Sequence, residues 1–135
     1  MTPQEKRREI IKYWFEKAQE SIDAAQDEMQ ANRLSFAVNR IYYASFYAVS
    51  AVLLKENLEF KKHSGVRAAL HRQLVKSGKI SKEHGKFYDE LFEARQRGDY
   101  IELVQFDRQQ VENWLNHARI FLRDIMSFEK IEKSS

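Results

Sequence analysis

An all-α fold, a bundle of five helices with four long members and one short third member, is the architecture this 135-residue sequence predicts. Three observations carry that prediction. Glycine occurs only at positions 65, 78, 85 and 98 and proline only at Pro3, whereas sheet folds need turn residues at short intervals. Apolar residues recur at steps of three and four through several long segments, the period of an amphipathic helix. Two capping signals, Thr2 with Glu5 and Asp107 with Gln110, sit just ahead of such segments. The length suits one domain with one core, which we place at residues 1–128, with a charged tail over 129–135 that is expected to fray.

The first helix opens on Thr2-Pro3-Gln4-Glu5, where threonine caps, proline suits the first helical position and glutamate bonds back. Ile11, Trp14, Ala18, Ile22, Ala25 and Met29 then form one apolar stripe. Ala31-Asn32-Arg33 interrupts the pattern and predicts a tight reversal. The second helix, Leu34 to Asn57, is the most apolar: within Phe36–Leu54 only Asn39, Arg40, Ser45 and Ser50 are not apolar. A membrane span is the competing reading, but Asn39 and Arg40 near one end and the small-residue spacing favour a helix surrounded by neighbours. A short helix from Ser64 to Ser77 follows, with Val66, Leu70 and Leu74 inward and Gly78 ending it. Ser81 caps the fourth, which turns Phe87, Tyr88, Leu91 and Phe92 inward and runs out at Gly98. Asp107 starts the last, with Val111, Trp114, Leu115, Ala118, Phe121, Leu122 and Ile125 on its inner face.

The net charge of +3 hides a strong asymmetry. Residues 61–82 hold seven basic residues (Lys61, Lys62, Arg67, Arg72, Lys76, Lys79 and Lys82) and no acid, with His63 and His71 among them. Arg72, Lys76 and Lys79 recur on one outer stripe, and Arg67 and His71 share the face beside it, a patch suited to phosphate. The plainer reading is a solvated helix whose charges meet acids of the following segment.

Several chemistries are excluded by what is missing. The absence of cysteine removes disulfides, thiol catalysis and cysteine-based zinc sites. The charged N-terminal dozen lacks the apolar core of a secretory signal, so a cytoplasmic location is expected. The four histidines (63, 71, 84 and 117) show no paired metal-ligand spacing, and the isolated glycines form no phosphate loop. Neither a metal nor an organic cofactor is expected. What remains is polar groups in apolar company. Arg40 beside Tyr42 and Tyr43 needs an acid from a neighbouring helix, a phosphate or a water-lined cleft, because guanidinium keeps its proton. Arg95-Gln96-Arg97-Gly98-Asp99-Tyr100 gathers two arginines, an acid and a phenol in one turn.

The run Asn39-Arg40-Ile41-Tyr42-Tyr43-Ala44-Ser45-Phe46-Tyr47-Ala48 resembles the Asn-Arg-x-Tyr-Tyr-Ala-x-Phe segment of HEPN (higher-eukaryote and prokaryote nucleotide-binding) domains. Lys62-His63-Ser64-Gly65-Val66, Val75-Lys76-Ser77-Gly78, Arg95 to Tyr100 and Ala118-x-x-Phe121 follow in matching order, so the likeness spans roughly residues 8 to 128. The resemblance implies a small cytosolic α-bundle, usually a homodimer, often encoded beside a nucleotidyltransferase-fold partner in toxin–antitoxin pairs. Many members are metal-independent endoribonucleases whose motif is arginine, four to six residues, then histidine. In them the ribose 2′-OH attacks the adjacent phosphate, a base takes its proton and arginine steadies the developing charge.

That motif is absent here: five residues after Arg95 stands Tyr100, preceded by Asp99. The expectation is therefore a HEPN bundle that binds RNA, a nucleotide or a protein partner. A ribonuclease built on a variant Arg95, Asp99 and Tyr100 constellation is the first alternative, and a purely structural interaction bundle the second. The binding candidates are Arg40, Tyr43, His63, Arg67, Arg72, Lys76 and Lys79, with the basic third helix at the rim of the cleft.

Overall fold

The computed structural model describes residues 1–100 and 105–134, with side chains described within 1–97 and 105–127. Its elements, in order, are α1 (Pro3–Gln30), α2 (Leu34–Lys55), α3 (His63–Ala69), a π-helical turn (Leu70–Val75), α4 (Lys82–Tyr100) and α5 (Arg108–Ser134). The all-helical bundle is thus the one expected from sequence, and no strand occurs among the described residues. Asp99 and Tyr100 lie in the last turn of α4, outside the residues whose side chains are described, as does the tail from Glu129 onward.

Both capping signals operate. The Thr2 hydroxyl accepts from the Glu5 N–H at 3.1 Å while the Thr2 N–H donates to Glu5 Oε2, also at 3.1 Å. At α5 the Gln110 N–H donates to Asp107 Oδ2 at 3.2 Å, and at α4 the His84 N–H donates to Ser81 Oγ at 3.0 Å. The helix ends rhyme with each other. Asn32 and Asn57 take left-handed φ of 61° and 64°. The residue after each donates back across the turn, Arg33 to the Glu28 carbonyl and Leu58 to the Leu53 carbonyl, both at 2.9 Å. These are paired Schellman stops, with asparagine in the place glycine more often fills. They end α2 at Lys55, two residues before the end the apolar pattern suggested.

α2 is the central helix, packed against α1, α3, α4 and α5, and Ile41, Tyr42, Ala44, Ala48, Val49 and Ala51 are fully buried in it. In α1 the buried series is Ile11, Phe15, Ala18, Ile22, Ala25 and Met29, a strict alternation of four and three. Trp14, expected on that stripe, is half-buried instead, with Phe15 in the core position. All seven residues expected on the inner face of α5 are buried.

The third helix differs most from expectation. After Ala69 the chain widens into a π turn, closed by the Lys76 N–H donating to the His71 carbonyl at 2.9 Å. The cause is packing against α4. Gly85 of α4 is buried, and a Cβ there would stand 3.0 Å from His71 Cε1 and from Val75 Cγ2. The missing side chain lets the turn settle on α4, burying Leu70 and Leu74 while His71 reaches Asp89.

Candidate functional site

The register of α2 sorts its aromatic residues onto two sides. Asn39, Arg40, Tyr43 and Tyr47 line a polar cleft of about 510 Å³ together with Lys17, Glu20, Ser21 and Ala24 of α1. Arg40 is exposed there and makes no ion pair among the described residues. The expectation that a structural arginine would meet an acid from a neighbouring helix does not hold for it.

Behind the cleft stands an aromatic cluster. Arg95 reaches in from α4, its Nη2 donating to the Tyr43 hydroxyl at 3.1 Å. Its guanidinium carbon lies 5.1 Å from the centre of the Tyr42 ring and 5.2 Å from that of Tyr43. His63, the first residue of α3, stacks on Phe46 with ring centres 4.2 Å apart and planes within 14°. Its Nδ1 is 2.8 Å from the Tyr42 hydroxyl. Burial, and next the positive charge of Arg95, lower the His63 pKa, so its imidazole is neutral at neutral pH. Burial also pushes the Tyr42 phenol up to about 12. A second opening of about 210 Å³ runs between α2 and α4, lined by Ser35, Phe36, Val38, Ala94, Arg95 and Phe106, and Asn39 belongs to both.

The structure thus brings Tyr43, His63 and Arg95 together and sets Arg40 in the cleft beside them. The basic third segment divides. Arg67 Nε lies 2.7 Å from Asp89 and its Nη2 3.5 Å from Glu93, with its guanidinium 4.6 Å from the Phe92 ring centre. His71 Nε2 shares the same Asp89 oxygen at 2.9 Å. For these two the plainer reading of the charge, partners in the following helix, is the observed one. Lys79 pairs with Glu56. Arg72 and Lys76 are exposed and make no ion pair among the described residues. None of Arg67, Arg72, Lys76 and Lys79 lines the polar cleft.

Sequence reasoning missed a hydrogen-bonded chain on the other side of the bundle. His84 is buried, with Nε2 2.8 Å from Asp124 Oδ2 and Nδ1 3.0 Å from His117 Nε2. The His84 contact lowers the Asp124 pKa, so the carboxylate is ionised and only accepts. His84 Nε2 therefore donates to the carboxylate, and its Nδ1 shares one proton with His117 Nε2. The residues are 33 and 40 positions apart, and no local spacing announces them. No group of three or more histidine, cysteine or acidic side chains among the described residues is arranged to hold a metal ion. Nor is any described helix long and apolar enough to cross a membrane.

Fold and cleft together define a small helical-bundle domain that presents cations beside stacked aromatic rings. The HEPN domain family matches residues 11–130, and the chain belongs to it. A relative named "UPF0332 protein", from Thermotoga maritima, is 52% identical over 116 residues, covering 86% of this chain and 88% of its own. Another, from Methanocaldococcus jannaschii and named "Putative toxin MJ0142", is 34% identical over 116 residues, covering 86% and 78%. Among solved structures, TT1696 from Thermus thermophilus superimposes with a TM-score of 0.72 over 87% of this chain and 96% of that one. At 16% identity it speaks for the fold alone.

Proposed function

We propose that this HEPN protein acts as the toxin-type member of a two-component module and binds single-stranded RNA in the α1–α2 cleft. The observation that carries the reading is Arg40, exposed and without an acid partner among the described residues, in a cleft where Lys17 already faces Glu20 and the Tyr43 hydroxyl is fixed by Arg95. A guanidinium left open beside phenol rings is suited to a phosphate with a base stacked next to it. The exposed Arg72 and Lys76 add a positive field at longer range. The relatives named as toxins support the module, which by family resemblance would add a second copy of this chain and a nucleotidyltransferase-fold partner.

Titration of labelled RNA against salt tests the cleft. Single-strand binding loses about 0.7 in the slope of log affinity against log salt for each phosphate contact removed, so Arg40→Ala is expected to flatten the slope by about that amount. RNA binding that is absent at low salt, or whose slope Arg40→Ala leaves unchanged, would overturn the assignment.

One arrangement favours a second reading, a ribonuclease with a variant site. His63 is neutral and shares an aromatic cluster with Arg95. In the tautomer that donates Nδ1–H to the Tyr42 oxygen, Nε2 keeps a lone pair for the 2′-OH proton, and Arg95 can steady the phosphate charge. Cleavage of RNA in chelator that is lost in His63→Ala and Arg95→Ala supports this reading. Cleavage that survives both removes it.

A further inference from the structure

A separate hollow adjoins the polar cleft. It encloses about 180 Å³ and is walled by Trp14, Phe46, Tyr47 and Phe60, with Leu53, Leu58 and Val66 closing it. Two polar residues line it, Ser50 and Glu59. Neither makes a hydrogen bond or ion pair among the described residues, although Ser50 is only 9% exposed. Tyr47 lines this hollow and the polar cleft alike, so one residue borders both the apolar chamber and the cleft that holds Arg40.

We propose that this hollow is a nucleobase site, taking the adenine of a nucleoside phosphate whose phosphate lies in the cleft at Arg40. The proposal rests on the phosphate-binding reading above and adds to it a base pocket and a base preference. Three features select the ligand. The volume suits one ring system: an apolar cavity of about 150 Å³ is known to accept benzene, whereas drug-sized ligands occupy about 300 Å³ or more. The four aromatic walls offer faces and edges to a planar ring, and every base has a π-face to offer in return. Glu59 sets the orientation and favours a base that carries an amino group. Its carboxylate repels a phosphate, so the phosphate must leave by the Tyr47 side, toward Arg40. It accepts from the exocyclic amino group of adenine, while the Ser50 hydroxyl can donate to a ring nitrogen. Uracil has no exocyclic amino group to offer that carboxylate.

The emission of Trp14 reads the site directly, with Trp114→Phe removing the other indole. AMP is expected to quench Trp14 saturably and UMP to require at least tenfold higher concentration. Ribose 5-phosphate should leave the emission unchanged. Glu59→Gln, an exposed position that spares the core, should shrink the AMP-to-UMP gap severalfold. Arg40→Ala should weaken AMP while leaving adenosine unchanged, which places the phosphate in the cleft. Competition by oligo(A) assigns the base to RNA, and failure of oligo(A) to compete assigns it to a free nucleotide. No quenching by AMP or adenosine, or equal quenching by adenosine and uridine, overturns the base pocket. Salt-dependent RNA binding that responds to Arg40→Ala but leaves Trp14 silent would sink the pocket and spare the cleft. The reverse result would sink the cleft alone.

Discussion

The contact between α4 and the π turn can be tested with one methyl group. Gly85→Ala places a Cβ 3.0 Å from His71 Cε1 and 3.0 Å from Val75 Cγ2. Two effects of opposite sign compete. Alanine in a helix interior is favoured over glycine by about 1 kcal/mol. Overpacking a close contact costs about 1–3 kcal/mol unless the neighbours can give way. Here the ring is held: His71 Nε2 lies 2.9 Å from Asp89, so retreat loses that contact, and Val75 is β-branched with few rotamers to offer. Steric cost should win, for a net loss of about 1 kcal/mol, or roughly 3–5 °C in Tm at this chain length. Urea and thermal unfolding at pH 8 measure it. In a His71→Ala background one of the two close contacts is gone and only that with Val75 remains, so the double variant should lose less than the two singles together. A Gly85→Ala protein more stable than the parent, with effects that simply add, would refute the claim that the π turn is shaped by the absence of this side chain.

Two further outcomes follow from the same geometry. His63 and His117 both have pKa values lowered from 6.5, chiefly by burial, so the unfolded chain binds more protons below that value and stability must fall as pH drops through 6.5 toward the folded pKa values. Asp124, lowered from 3.8 by its bond with His84, adds stability above 3.8 that is lost only in stronger acid. Urea midpoints from pH 8 to 3 should show both losses, and His117→Gln should shallow the upper one; a flat profile between pH 7 and 5 would contradict the burial argument. At the end of α2, Asn57→Ala puts a side chain that tolerates left-handed φ poorly at 64°, a cost of about 1 kcal/mol, whereas Asn57→Gly should be near neutral. Equal stability of the two variants would remove the role given to the cap.

Much of this fold is legible in the sequence because its signals are local. The Thr2 and Asp107 caps and the inner face of α5 involve residues a few positions apart, and periodicity reads such neighbours directly. Where two large apolar residues adjoin, periodicity blurs: Trp14 and Phe15 differ by one helical step, and only the packing of α2 decides which is core. The π turn was out of reach because its cause, Gly85, lies in the next helix. The same limit hid the Tyr42–His63 contact and the His84–His117–Asp124 chain, whose partners lie 21 to 40 residues apart. For the site, the sequence could name Arg40, Tyr43, His63 and Arg95 by resemblance, but could not tell which of these cations had a partner.

That distinction changes where a phosphate should bind. By charge density alone, residues 61–82 would be the contact surface. Yet Arg67 faces Asp89 and Glu93, and Lys79 faces Glu56, so a phosphate approaching either would have to displace a carboxylate already in place. A paired cation presents little net field and a weak incentive to exchange one anion for another. Arg72 and Lys76 keep their charge, but each stands exposed, and an isolated surface cation attracts without orienting. Arg40 combines the two requirements: it has no acid to give up among the described residues, and it sits in a concave site whose neighbour Tyr43 is fixed by a hydrogen bond from Arg95. Orientation comes from such fixed surroundings, so the α1–α2 cleft is where a bound phosphate would acquire a definite position. The basic segment then serves to raise the local concentration of an anionic ligand rather than to hold it.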